Sequence, residues 1–261
     1  MVELQLSKLI TRVRFPLLAP FFLTRPPMKI TLLIPTLNEE HGMRHVMPMV
    51  DRSLFHQILV VDGNSKDKTV EVAREMGYDV VIQKSPGIRG AYMDALAFVK
   101  GDAILTFSPD GNSIPELLKP CIDKFREGND MVIVSRYAKG AKSYDDDAVT
   151  GFGNWLFTGS INFFHGGHYT DAMVIYRIYH KNLIHALDLD KEGSYSFEEK
   201  LFHTNISWEP LLSIRAAKRK LKIAEIPGDE PAREGGERKL QVLKWGAAYY
   251  WQILREKFIW K

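Results

Sequence analysis

Five short runs dominate the first half of the chain: KITLLIP, HQILVVDG, DVVIQ, GDAILTF and DMVIVS. Each is rich in Val, Ile and Leu, and polar residues hardly alternate with apolar ones. A strand wetted on one face alternates with a period of two, so runs without alternation are strands covered on both faces. Between them lie EEHGMRHVMPMV, SKDKTVEVAREMG, GIRGAYMDALAFVKG and IPELLKPCIDKFREG, which read as helices, several closing on glycine. Strands alternating with helices predict an α/β fold, a Rossmann-like, mostly parallel sheet flanked by helices. Ligands of such sheets bind beyond the carboxyl ends of the strands.

After Ser135 the texture changes to a glycine- and aromatic-rich stretch, then helical segments, the strand KIAEIP and the loop EPAREGGERK. No linker separates the two halves, so a single domain over residues 29–240 is expected, its later half covering the binding face of the first. Residues 241–261 read as a C-terminal helix with Trp, Tyr, Leu and Ile interleaved with Lys and Arg. It is either packed on the core or laid on a membrane surface. Residues 1–28 mix apolar side chains with Lys8, Arg12, Arg14 and Arg25 and are broken by Pro16 and Pro20. This leader lacks both a membrane-spanning length and a cleavable signal. It reads as an interfacial membrane contact, as a disordered leader, or as sequence upstream of a start at Met28.

The net charge of +3 over 261 residues does not call for nucleic acid, and it suits anionic ligands or an anionic membrane. Cys121 is the only cysteine, so no intramolecular disulfide exists. The expected location is cytoplasmic, with peripheral contact at the inner face of the membrane.

The polar residues cluster at strand ends. IPTLNEE places Glu39 and Glu40 at a strand-to-helix turn, and VVDGNSKDKT places Asp62 at the tip of the next strand, with Asp67 able to begin a helix. Carboxylates on neighbouring strand tips can accept hydrogen bonds from base amines and ribose hydroxyls. The alternative is that each only caps its helix. There is no GxGxxG and no GxxxxGK[ST], so a diphosphate must be neutralised by other means. In FSPDGNS, Pro109 ends the strand, Gly111 permits a sharp turn, and Asp110 and Asn112 are left offering oxygen. Hard oxygen ligands suit Mg²⁺ or Mn²⁺, which take the rest of their shell from water and substrate phosphate. The plain alternative is an Asp-Gly turn. His165 and His168 lack a third ligand for zinc, Asp145 to Asp147 read as a solvated loop, and RAAKRKLK reads as an exposed helix face.

IPTLNEE, VVDGNSKDKT, the helix GIRGAYMDALAFVKGD and FSPDGNS, in that order, resemble the inverting glycosyltransferases of family 2. The segments SRY, TDAMVIYR, WEPLLSIRAAKRKLKIAEIP and AREGGERKL are similar to the branch of dolichol-phosphate mannosyltransferases and other polyprenyl-phosphate glycosyltransferases. The resemblance implies a GT-A fold, a nucleotide diphosphate sugar (UDP- or GDP-linked) as donor, a divalent cation, and a polyprenyl phosphate or other lipid as acceptor. It implies that Pro35, Leu37, Glu39 and Asp62 line the nucleoside site, with Arg89 and Gly90 beside it. Asp110 and Asn112 would hold the metal. Asp171 and Arg177 would lie near acceptor and sugar, Glu209 would be a further catalytic carboxylate, and Arg233, Arg238 and Lys239 would contact phosphate.

Two departures stand out. Ser108 replaces the first aspartate of the Asp-x-Asp metal motif, and MVIY replaces the family's T-S-G-F before the arginine. Two other functions are weighed: a sugar-phosphate nucleotidyltransferase, whose basic glycine-rich loop after the first strand is missing, and a non-catalytic nucleotide-sugar binder, for which Ser108 is the argument.

Overall fold

The computed structural model describes residues 28–232 and 242–260. The leader before Met28 and the expected phosphate contacts Arg233, Arg238 and Lys239 lie outside the described residues.

The apolar runs form strands β1 (Ile30–Thr36), β2 (Gln57–Asp62), β3 (Asp79–Ile82), β4 (Ala103–Thr106) and β5 (Met131–Ser135). Helices α1 (Glu40–His45), α2 (Thr69–Glu75), α3 (Gly87–Ala95) and α4 (Leu118–Arg126) separate them. The second half adds α5 (Ala148–His165), β6 (Arg177–His180), α6 (Leu183–Ala186), α7 (Ser196–Phe202), α8 (Glu209–Lys218), β7 (Ile223–Pro227) and α9 (Val242–Glu256). All seven strands join one sheet in the order β3-β2-β1-β4-β6-β5-β7. Every pairing is parallel except those of β6, which runs against β4 and β5. Every residue of β2, β4 and β5 is buried, as the missing alternation requires.

The strand order reverses at β1: the chain builds outward through β2 and β3, then returns so that β4 lies on the other flank of β1. The loops after β1 and β4 therefore diverge and open a crevice at the carboxyl edge. Because β6 is antiparallel, its first residue, Arg177, pairs with Thr106 at the end of β4. The segment leading into β6 is thus delivered to the same edge.

Helix α5 and strand β6 are not evident from the sequence. Gly151, Gly153 and Gly159 weaken the helical signal of α5, and β6 is only four residues long. Once folded, α5 buries Asn154, Thr158, Ile161 and His165. Helix α9 packs as well: Ala248, Gln252, Ile253 and Glu256 are buried, and Glu256 receives the Arg215 guanidinium at 2.9 and 3.0 Å. Arg215, expected on an exposed face, also donates to the carbonyls of Leu187 and Asp188. Hydrogen bonding and an ion pair make its burial possible.

His165 joins α5 to α9 through Nε2 and the Ile253 carbonyl at 2.8 Å, and its Nδ1 is buried without a partner among the described residues. Burial lowers its pKa, with Lys218 and Lys257 adding to this and the hydrogen bond to the Ile253 backbone and Glu256 opposing it. The folded protein therefore favours neutral His165, whereas the unfolded chain takes up a proton near the ordinary value, about 6.5. Stability is fully present above that pH and is lost as pH falls from it towards the folded value. Melting curves should show a smaller drop in Tm between neutral and mildly acidic pH for His165→Gln than for the parent; equal drops would exclude this histidine as the source.

Candidate active site

Along the carboxyl edge, in sheet order, stand Asp62 at the tip of β2, Leu37 and Glu39 after β1, and Asp110 and Asn112 after β4. Beyond them come Asp171 before β6, Arg136 after β5 and Glu230 after β7. The chain separates these residues widely, and the sheet collects them.

The loops after β1 and β2 are tied together. Asn38 Oδ1 accepts from the Lys66 amide, Ser65 Oγ from the Asn38 amide, Thr69 Oγ1 from the Glu39 amide, and Asp67 from the Glu40 amide. Asn38 and Asn64 have positive φ, a conformation that asparagine tolerates. Asp62 is fully buried; its carboxylate accepts from the Ser65 amide at 2.8 Å, from Ser65 Oγ, and from Thr36 Oγ1 at 3.2 Å. These bonds shape the turn. Leu37 is exposed at the rim, and Pro35 and Glu39 are half-buried. Arg89, in the first turn of α3, pairs with Glu199 at 2.7 Å and Glu192 at 3.0 Å and lies over the Tyr195 ring. A Cβ on Gly90 would come within 2.5 Å of the Ser85 carbonyl oxygen, so glycine lets α3 close on the loop after β3.

The corner after β4 turns as its sequence implies. Gly111 has φ +87°, and Asp110 Oδ1 accepts from the Asn112 amide at 3.2 Å. Asn112 Nδ2 donates to Asp145 at 3.1 Å, whereas Asn112 Oδ1 is buried with no partner among the described residues. A buried amide oxygen left without a donor is costly unless something else meets it. With Asp110 and Asp145 adjacent, a hard cation would satisfy this oxygen. Among the described residues no cluster of three His, Cys, Asp or Glu could hold a metal, so the shell would be completed from outside the protein. That donor set fits Mg²⁺ or Mn²⁺ carried by a diphosphate.

The corner is supported from below by α1. A Cβ at Gly42 would sit 2.0 Å from the Pro109 carbonyl oxygen, a backbone atom that cannot swing aside. Gly42→Ala should displace Asp110 and cost about 1–3 kcal/mol by overpacking. Thermal melting and cation-dependent donor binding should both report the loss; an unchanged Tm would show that α1 can retreat freely.

The acidic run differs from the expected solvated loop. Asp145 meets Asn112, and Asp147 caps α5 by accepting from the Val149 and Thr150 amides. The flanking backbone is clasped to the segment after β7: Tyr144 N donates to Glu230 O, Glu230 N to Lys142 O, and Ser143 Oγ to the Glu230 carboxylate.

Arg136 lies inside the SRY segment, but the resemblance assigns it no role. Its Nε and Nη2 donate to Asp171 at 2.6 and 3.1 Å, and Nη1 reaches both Glu230 oxygens at 3.3 Å. Burial opposes its charge, but Asp171 and Glu230 more than compensate and raise its pKa. Its sequence signals are the SRY segment and its place directly after β5, and neither names a partner. Asp171 is fully buried in this ion pair. Arg177 is also fully buried, donating to Ser213 Oγ at 2.9 Å, to Glu209 O at 3.3 Å, and to the Ala172 and Val174 carbonyls. Glu209 opens α8 and is buried behind it.

Residues 31–187 match the glycosyl transferase family 2 domain. The chain belongs to glycosyl transferase family 2. It is a nucleotide-sugar-dependent glycosyltransferase. The dolichyl-phosphate hexose transferase of Haloferax volcanii is 30% identical over 222 residues, 84% of this chain and 90% of that protein. The dolichol-phosphate mannosyltransferase of Pyrococcus furiosus is 32% identical over 123 residues, 44% of this chain and only 35% of that protein. Among solved structures, glucosyl-3-phosphoglycerate synthase of Mycobacterium tuberculosis, crystallised with Mn²⁺, UDP and phosphoglyceric acid, superposes with TM-score 0.64 at 19% identity. That superposition covers 90% of this chain and 80% of the synthase, and it establishes the shared fold of this family 2 enzyme. No helix among the described residues is long and apolar enough to cross a membrane.

Proposed function

We propose that this family 2 enzyme transfers a sugar, with inversion, from a UDP- or GDP-linked donor to a polyprenyl phosphate. Mg²⁺ or Mn²⁺ held by Asp110 and Asn112 would offset the charge that builds on the leaving diphosphate. The donor lies across the crevice between the β1 and β4 loops, its base towards Pro35, Leu37 and Glu39. Arg89 and Gly90 stand beside the nucleoside site, and Arg233, Arg238 and Lys239 serve the donor or acceptor phosphates in this reading.

The observation that carries the acceptor class is the state of the two candidate bases. A hydroxyl acceptor must lose a proton as it attacks, and the accepting carboxylate must reach it. Asp171 is fully buried with both oxygens held by Arg136, and Glu209 is only 2% exposed. A phosphate acceptor arrives already anionic and needs neither. Relatives named for dolichyl phosphate support the same class. Asp171, Arg177 and Glu209 are then positioning residues: Arg136 and Asp171 fix the loop after β5, and Arg177 ties the turn before β6 to α8.

The test is a transfer assay with the full chain, UDP- and GDP-sugars, each cation, and a polyprenyl phosphate in detergent. Formation of glycolipid with one donor class supports the proposal. Release of free sugar with no glycolipid would remove the acceptor; donor binding without any release of nucleotide would make the protein a binder.

A further inference from the structure

Helix α5 spans 18 residues, AVTGFGNWLFTGSINFFH, without one Asp, Glu, Lys or Arg. A helix on a protein surface ordinarily carries charge on its outer face. Here the inner face packs on α8 and α9, while Val149, Phe152, Trp155 and Phe163 point outward and are 60%, 60%, 68% and 81% exposed. Spaced at 149, 152, 155 and 163, they share one side of the helix, and the Phe152 and Trp155 rings lie 5.7 Å apart.

The apolar side does not stop at the end of α5. Phe163 packs edge-on against Phe164, whose ring lies 4.9 Å from the Lys257 ammonium. Lys257 is followed by Phe258 and Ile259, 78% and 65% exposed. The Arg219 guanidinium sits 4.9 Å over the Trp260 ring beside them. Aromatic side chains bordered by Lys and Arg make a surface that enters the interface of an anionic bilayer, rings at headgroup depth and cations on the phosphates.

We propose that the outer face of α5, bordered by Lys257 to Ile259, docks the enzyme on an anionic lipid surface with the crevice beside the membrane. The inference rests on the polyprenyl-phosphate reading and names where the enzyme meets that acceptor's membrane. Position favours a bilayer over a protein partner. The residue that caps α5, Asp147, follows Asp145, which contacts Asn112 in the β4 corner. The apolar face therefore begins next to the cation corner, where a lipid phosphate has to arrive.

The experiment is flotation of the full chain with vesicles of phosphatidylcholine, or of phosphatidylcholine plus phosphatidylglycerol. The parent protein is expected to float with the second and less with the first. Phe152→Ser with Trp155→Ser should weaken partitioning about tenfold and leave transfer to polyprenyl phosphate in detergent unchanged. Equal flotation of parent and variant, or none by the parent, overturns the proposal. So does a dimer in light scattering that the same substitutions dissolve, since a second copy would then own the face. Shielding of Trp155 from iodide in lipid-free protein, read as the quenching difference between parent and Trp155→Phe, would give it to the chain itself. Flotation without transfer in detergent supports the surface and removes the acceptor; transfer without flotation does the reverse.

Discussion

Asp110→Ala should lower transfer by about 10²–10³-fold at saturating donor and cation, the loss expected when one well-placed group stops stabilising leaving-group charge. In the free enzyme Asp110 accepts a backbone bond from Asn112, and losing it should cost folding about 1 kcal/mol. The two effects separate cleanly. A thermal shift produced by UDP- or GDP-sugar with Mn²⁺ should appear in the parent protein and vanish in the variant, while ligand-free Tm moves little. An equal cation-dependent shift in Asp110→Ala would strip Asp110 of its metal role and leave the β4 corner an ordinary turn. Ser108→Asp works in the opposite direction: it returns a carboxylate to the corner, and the cation concentration for half-maximal shift should fall.

Arg136→Ala should be the most destabilising single change at the carboxyl edge. It leaves Asp171, fully buried, and Glu230, 13% exposed at its side chain, without their shared cation. Removing one partner of a buried ion pair costs about 3–5 kcal/mol. In a chain of this size that is a fall of roughly 6–20 °C in Tm. The deficit should also depend on pH. Burial already pushes the Glu230 carboxyl up, with Arg136 pulling it down, so without Arg136 the folded protein holds the proton more tightly still. A raised folded value gives stability below the unfolded value that is lost as pH rises. The variant should therefore lie furthest below the parent at neutral pH and recover part of the gap towards pH 5. Arg136→Lys keeps a charge but loses the two-pronged grip on Asp171 and should fall between. A Tm unchanged in Arg136→Ala would mean that the two carboxylates find other partners.

The central sheet and the polar carboxyl edge are legible in the amino-acid sequence. The five apolar runs are β1 to β5, because a strand buried on both faces writes its environment into its own composition. The FSPDGNS corner is legible for a similar reason: Pro109 and Gly111 act on the backbone where they stand. Residue roles further along the chain are harder to read. Asp62 reads as a ligand-facing carboxylate, yet its oxygens meet Ser65 and Thr36. Arg215 reads as solvated, yet it meets Glu256, 41 positions away.

Side-chain periodicity and turn chemistry are local properties, so the strand series, the edge where chemistry collects and the polar corner follow from the order of residues alone. Folding in three dimensions was needed to establish that β6 runs backwards, that Arg136 joins Asp171 and Glu230 across 35 and 94 positions, and that α5 keeps an uncharged face outward. A charge's partner and a face's burial are set by what the chain brings alongside, and no stretch of residues carries that information within itself.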